Sequence, residues 1–394
     1  MKRHLNAAQA AQRLGISLPS LYAYVSRGLL RSEPGPGPSR ARLYVKEDVD
    51  RLRSRKEGRR DPGRVAKEAL HWGAPVLDSA ITRIDGGELF YRGENACDLA
   101  RTRSVEEVAS LIWRDTLEPL DLEPELQRRG TMSFGKLANG LHPVEQFEIL
   151  LPQAGARDEA AFDLKKPAVV RSGLRILRLL TEAVCGEPLR RGLAHSLAGA
   201  WAPRTPGAER LISACLVLCA DHELNISAFT ARCVASAGST PYSVVAAGLH
   251  ALRGFRHGGE SLRVENFLNR AGSPRDARAL IAAEIRAGGR IAGFGHPLYP
   301  DGDPRAKYLL ETLRRRRPAL DPVGEAMAQA MLDLNDEHPT IDFGLALVSR
   351  ALRLPAGSPL TLFALGRCIG FIGHAIEQYE TGELIRPRAR YTGR

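Results

Sequence analysis

No run in this sequence is apolar over the ~20 residues that a membrane-crossing helix needs. The opening MKRHLNAAQAAQRLG also lacks the apolar core of a secretory leader, so a cytoplasmic protein is expected. Cysteine is sparse: Cys97, Cys185, Cys215, Cys219, Cys233 and Cys368 are scattered, with neither a disulfide framework nor the spacing of a zinc site. Cys215 and Cys219, four apart in LISACLVLCA, read as core side chains of one helix, and no metal is expected. Val/Ile-rich strands do not alternate with helical segments, and no short repeat is evident. The GFGH stretch lacks the GxGxxG frame of a dinucleotide fingerprint, and no Ser or Cys nucleophile motif occurs.

What is present is a soluble composition, 44% hydrophobic and 26% charged, in a chain of 394 residues, long enough for two or three domains. The net charge of +11 is lopsided. Residues 1–69 hold 16 Lys/Arg against 7 Asp/Glu, a net of +9, which leaves +2 on the other 325. A basic head on a balanced body points to a polyanion meeting the head alone.

The head, residues 1–60, reads as two short helices separated by a tight turn at Gly15. Ala7, Ala8, Ala11 and Leu14 fall at helical spacing in the first. Ser17 caps the second, whose inner face would carry Leu18, Leu21, Tyr22 and Val25. ARLYV reads as a short strand, EDVDRLRSR as a further helix, and 61–70 as a basic linker. The arrangement RLGIS, LYAYVSRGLL, RLYVKEDVDRL resembles the MerR/excisionase type of winged helix-turn-helix. That resemblance implies that Ser17, Ser20, Tyr22 and Tyr24 on the second helix, with Arg40 and Arg42 in the wing, approach DNA. The alternative is a scaffold or dimer-contact module that does not bind DNA.

The body, 71–394, opens with a Gly-Gly hairpin in ITRIDGGELFYRG and then turns helical, with a capping box at Ser104 and Glu107. Small-residue-rich apolar helices follow, so the body is mainly α-helical. Polar groups interrupt them at ADHELNIS, GFRHGGES, IAGFGHPLYPDGDPRA and HPTIDF, and as Arg367 within TLFALGRCIGFIGH. Each alone has an ordinary reading as a helix end or cap. An arginine in an apolar helix, however, is costly unless it meets an anion or a partner. Arginines bind carboxylates bidentately, histidines donate to carbonyl oxygens as charge develops, and an aspartate on an apolar wall is a base toward a weak C–H acid. This set suits enolisation of one carbonyl compound and its addition to a dicarboxylate.

DHELN, HGG, GFGHxxY with DPRA, IDF, GR and IRPRA occur in the order of the citrate synthase family, which the body resembles along nearly its whole length. The resemblance implies an all-α homodimer with a large domain and a small one, the latter near 259–352, and a shared active site between them. It implies catalysis by His257, His296 and Asp342. Oxaloacetate would be held by His222, Asn225, Arg305, Arg367 and, from the neighbouring subunit, Arg386. The backbone of Ile291, Ala292, Gly293, Phe294 and Gly295 would lie against CoA. Acetyl-CoA would be a co-substrate, with no resident cofactor and no membrane partner. Three departures stand out. Pro300 occupies a position that is often basic, HGGES replaces HGGAN, and IDFGLAL lacks a Ser-Gly step after the aspartate. Propionyl-CoA as acyl donor, or a regulator that senses the same ligands and moves the head on DNA, are the alternatives.

Overall fold

The computed structural model describes residues 4–27, 29–34, 42–46, 48–49, 52, 77–121, 140–315, 321–389 and 391–393. The expected linker at 61–70 and the side chain of Arg40 lie outside them. Contacts divide the chain into two units, 1–78 and 79–394, a boundary eight residues beyond the one expected at 70.

The first unit runs β1 (His4–Asn6), α1 (Ala7–Leu14), α2 (Leu18–Ser26), β2 (Ser32–Pro34) and β3 (Arg42–Val45), with antiparallel sheet order β1-β3-β2. Asn6 and Gln9 form a capping box that starts α1, and Gly15, at φ 57°, ends it. Ser17 caps α2, as its sequence position implies. Ala10, Ala11, Leu14, Leu21, Leu30, Tyr44 and Val49 form the core. The expected faces need correction: Ala8 is exposed, and Leu18 and Tyr22 are 42% and 53% exposed. So small a unit offers one narrow apolar seam, and of the four residues expected inside on α2 only Leu21 is fully buried. Arg31 grips Asp48 through both Nε and Nη2, tying the approach to β2 to the segment after β3.

The second unit begins with the hairpin β4 (Thr82–Asp85) and β5 (Glu88–Tyr91), turned by Gly86 and Gly87 at positive φ, and the short β6 (Glu94–Asn95). Helices follow: α3 (Ala96–Thr102), α4 (Val105–Arg114), α5 (Pro143–Gly155), α6 (Lys166–Cys185), α7 (Leu193–Trp201) and α8 (Ala208–Cys219). The Ser104–Glu107 capping box starts α4. Beyond them lie α9 (Ile226–Ser236), α10 (Pro241–Leu252), α11 (Glu260–Arg270), α12 (Pro274–Arg286), α13 (Pro304–Arg315), α14 (Pro322–Asn335), α15 (Ile341–Leu352) and α16 (Ser358–Thr381).

α16 is the axis of this unit, packed against α4, α6, α8, α9, α10 and α15. By length and composition it could cross a membrane, although its sequence is interrupted by polar residues, and its apolar window is wholly buried in protein. Glycines let α8 and the segment after it lie directly on α16. A Cβ on Gly366 would stand 2.5 Å from Leu216 O, and one on Gly370 2.4 Å from Ala220 O and Asp221 Oδ1. The Gly370 amide instead donates to Ala220 O at 2.9 Å. This contact fixes where the chain leaves α8, immediately before His222.

Candidate active site

His222 and Arg367 are set by that crossing. Asp221 is fully buried and accepts from Thr82 Oγ1 at 2.6 Å, and His374 Nε2 lies 3.1 Å from its Oδ1. The next residue, His222, is therefore directed inward, where its Nε2 lies 2.9 Å from Tyr299 Oη. From α16, Arg367 donates Nε–H to Cys219 O at 2.9 Å, and its guanidinium lies over Phe363 at 5.0 Å. Both terminal nitrogens of Arg367 are buried without a hydrogen-bond partner.

Asn225 caps α9, its Oδ1 accepting from the Ser227 and Ala228 amides and from Ser227 Oγ, while Nδ2 donates to His222 O. The side-chain oxygen of Asn225 thus shapes the chain around His222, while Nδ2 has a second N–H beyond the one it donates to His222 O. Ser227 Oγ lies 2.7 Å from both Asn225 Oδ1 and His257 Nε2, and its single proton can serve only one of them. The glycines after His257 are required by close approach: a Cβ on Gly258 would meet Leu252 Cδ2 at 2.7 Å, and one on Gly259 the Arg253 carbonyl at 2.5 Å.

The loop 291–303 brings the remaining groups. Gly293 and Gly295 both have positive φ, and the loop pairs with the segment before α15 through Gly295 N to His338 O (2.9 Å) and Thr340 N to Gly293 O (2.8 Å). This ladder holds His296 and Asp342, 46 residues apart, in one frame. The His296 and His222 rings meet edge to face at 5.3 Å, and Tyr299 packs on both. Leu298 N donates to His296 Nδ1, so the neutral ring carries its proton on Nε2. Arg305 is clamped by Asp303 through Nε (2.9 Å) and Nη2 (2.8 Å), and Asp303 also accepts from Ile341 N at 3.0 Å. Asp342, in the first turn of α15, accepts from Ser261 Oγ at 2.5 Å.

Electrostatics separates these groups by role. Burial, reinforced by Arg367, lowers His257 to about 3, and burial with Arg305 lowers His296 to about 4. Burial and the cations Arg305 and Arg367 hold His222 well below its usual range. All three rings are neutral at pH 7. Asp342 moves the other way: burial is the largest cause and Glu260 adds to it, against the lowering by Ser261 and Arg305, and the carboxyl is pushed up to about 7. The helix N-terminus favours its anion by about 0.3–1 kcal/mol, which is under one pKa unit, so burial wins. Burial also lowers Arg367, while Asp221 opposes the shift.

The structure thus gathers His222, His257, His296, Arg305, Arg367 and Asp342. Arg386 is exposed near the C-terminus. Ile291, Ala292 and Phe294 turn inward, and much of the loop's backbone is already bonded, Gly293 N to Glu260 Oε1 and Gly295 N to His338 O. Sequence reasoning missed Ser227, Ser261, Tyr299 and Asp303, although all four lie within the quoted motifs. In the first unit Ser17 and Arg42 are exposed, Ser20 and Tyr24 half-buried, and Ser17 Oγ and Ser20 Oγ bond each other at 2.9 Å.

Known proteins resemble this chain over the same region. The family model described as citrate synthase, C-terminal domain, matches residues 69–388. A citrate synthase of Haloferax volcanii is 33% identical over 82% of this chain and 94% of its own length. A 2-methylcitrate synthase of Corynebacterium glutamicum is 28% identical over 80% and 92%. The crystal structure of citrate synthase from Thermotoga maritima superposes with TM-score 0.69 at 26% identity, covering 82% of this chain and 94% of that one. With more than half its length matched by the family model and its fold shared, this chain belongs to the citrate synthase family.

Proposed function

We propose that the chain condenses acetyl-CoA with oxaloacetate, giving citrate and free CoA. The observation that carries this reading is Arg367, a buried cation with two unpartnered terminal nitrogens among three neutral histidines, one of them beside an arginine already half engaged. A buried guanidinium with open donors is a receptor for a carboxylate. Arg305 spends Nε and one Nη2 proton on Asp303 and retains three N–H groups for a second carboxylate.

In this reading Asp342, ionised, takes a methyl proton from the thioester. His257 donates a hydrogen bond to the thioester carbonyl as the enol forms. For this the Ser227 hydroxyl turns its proton from Asn225 Oδ1 to His257 Nε2, and the ring carries its own proton on Nδ1. The enol carbon attacks the ketone carbon of oxaloacetate, and His296 Nε2–H protonates the oxygen that becomes a hydroxyl. Water then cleaves the thioester, releasing CoA and the third carboxylate. Side chains complete the cycle, and no resident cofactor is needed. Arg386 would serve the neighbouring subunit's site in a homodimer, in which 259–352 moves as a small domain against the rest. Propionyl-CoA is the nearest competitor, since one methylene is worth only about 1–3 kcal/mol of discrimination.

The test is thiol release from acetyl-CoA and propionyl-CoA with oxaloacetate, followed across pH. Turnover with acetyl-CoA is expected. Because the base must be ionised and its carboxyl is pushed up to about 7, kcat/KM should fall about tenfold per unit below that pH. A larger kcat/KM for propionyl-CoA would reassign the substrate, and an acidic limb near pH 4 would remove Asp342 from the role of base.

A second reading concerns the N-terminal unit, where a net charge of +9 over residues 1–69 and the exposed Tyr22 and Arg42 favour a DNA contact. Full-length protein should retard DNA from its own upstream region in a salt-dependent way, and residues 79–394 should not. Equal behaviour of the two would remove the DNA role.

A further inference from the structure

HGGES departs from the usual HGGAN at its last two positions, and both substituted side chains are buried and engaged. Glu260 is 8% exposed; its Oε1 accepts from Gly293 N at 3.0 Å, and Arg290 Nη2 lies 3.4 Å away. Ser261 is fully buried and donates to Asp342 Oδ1 at 2.5 Å. Two successive residues in the first turn of α11 therefore hold the two strands of one frame, the glycine loop on one side and the head of α15 on the other. Gly293 is itself bonded to Thr340, two residues before Asp342, so the contacts close a ring: Glu260, Gly293, Thr340, Asp342, Ser261.

We propose that Glu260 and Ser261 are positioning residues for Asp342, set in opposition: Ser261 stabilises its carboxylate by hydrogen bond, and Glu260 places a second carboxylate beside it while pinning the loop. This rests on the reading of Asp342 as the base. Ser261 offers one donor, so its bond selects Oδ1 and leaves Oδ2 for a proton arriving from substrate. Glu260 cannot be replaced by alanine without leaving the Gly293 amide unsatisfied in a buried place. The same carboxylate is like-charged with Asp342, and a like charge favours the protonated acid. The other groups facing Asp342 are Asp303 and Arg305 at the start of α13 and Cys219 at the end of α8. Asp303 is paired through both oxygens with Arg305, and burial pushes the Cys219 thiol up to about 12, far from neutrality. On top of the dominant effect of burial, Glu260 and Ser261 are thus the pair that tunes where Asp342 gives up its proton.

Glu260→Gln keeps an acceptor for Gly293 N and removes the charge, whereas Ser261→Ala removes only the donor. The two variants are expected to move Asp342 in opposite directions. In full-length protein labelled with 13C-aspartate, with the Asp342 resonance assigned through Asp342→Asn, the midpoint should rise by about one pH unit in Ser261→Ala. It should fall in Glu260→Gln. The acidic limb of kcat/KM for thiol release should follow both shifts. Coincident midpoints in the two variants and wild type would overturn the proposal, as would shifts of the same sign. Should wild type release no thiol, the titration still decides: opposite shifts then uphold the positioning pair and overturn only the condensation reading.

Discussion

Asp342→Asn is expected to lower oxaloacetate-dependent thiol release about a thousandfold, the middle of the range for losing a general base. Asparagine has nearly the same shape and still accepts from Ser261, so the frame around residue 342 should persist. Stability should even favour the variant at alkaline pH. The folded-state carboxyl titrates at about 7 and the unfolded one at 3.8, so the native state binds this proton more tightly. Its ionisation therefore costs native stability progressively as pH rises from about 4 to 7. Asparagine cannot ionise. The melting temperature of the variant should rise relative to wild type over that window and stay higher above it, with no such gain at pH 4. A variant as active as wild type, or a stability difference independent of pH, would show that Asp342 is not the poised base described above.

Arg367→Leu should separate folding from ligand binding. The guanidinium makes one hydrogen bond to a carbonyl and leaves two terminal nitrogens unsatisfied, so its burial contributes little and costs desolvation. Asp221 loses a nearby cation in the variant but keeps His374 and Thr82. The variant is therefore expected to fold with stability close to wild type. Its affinity for oxaloacetate should drop at least about 100-fold, the worth of charge-assisted bonds to a buried carboxylate. Differential scanning fluorimetry checks both halves. Oxaloacetate should raise the melting temperature of wild type and leave Arg367→Leu unmoved. Equal ligand-induced shifts would place the dicarboxylate elsewhere.

Much of this site is legible in sequence because its reactive residues sit where a local pattern breaks: histidines beside glycines, Arg367 inside an apolar helix, Asp342 at the head of another. Their partners are not legible in that way. Ser227 and His257 are 30 residues apart, Tyr299 and His222 are 77 apart, and Ser261 and Asp342 are 81 apart. Helical periodicity carries no information at such separations; only the packing of α8, α11 and α15 around α16 brings these side chains together. Asn225 carries two signals at once, for the motif that marks it as a ligand also marks a helix cap, and the cap is formed through its Oδ1. In the first unit the caps at Gly15 and Ser17 are local and readable in the sequence. The buried face of α2 depends on how small a core it meets, which local sequence does not state.

Condensation by this site is decided by thiol release from acetyl-CoA by wild-type protein, measured with and without oxaloacetate. Release should depend on oxaloacetate and yield citrate in equal amount. Release that is independent of oxaloacetate, or none with either thioester, would contradict condensation.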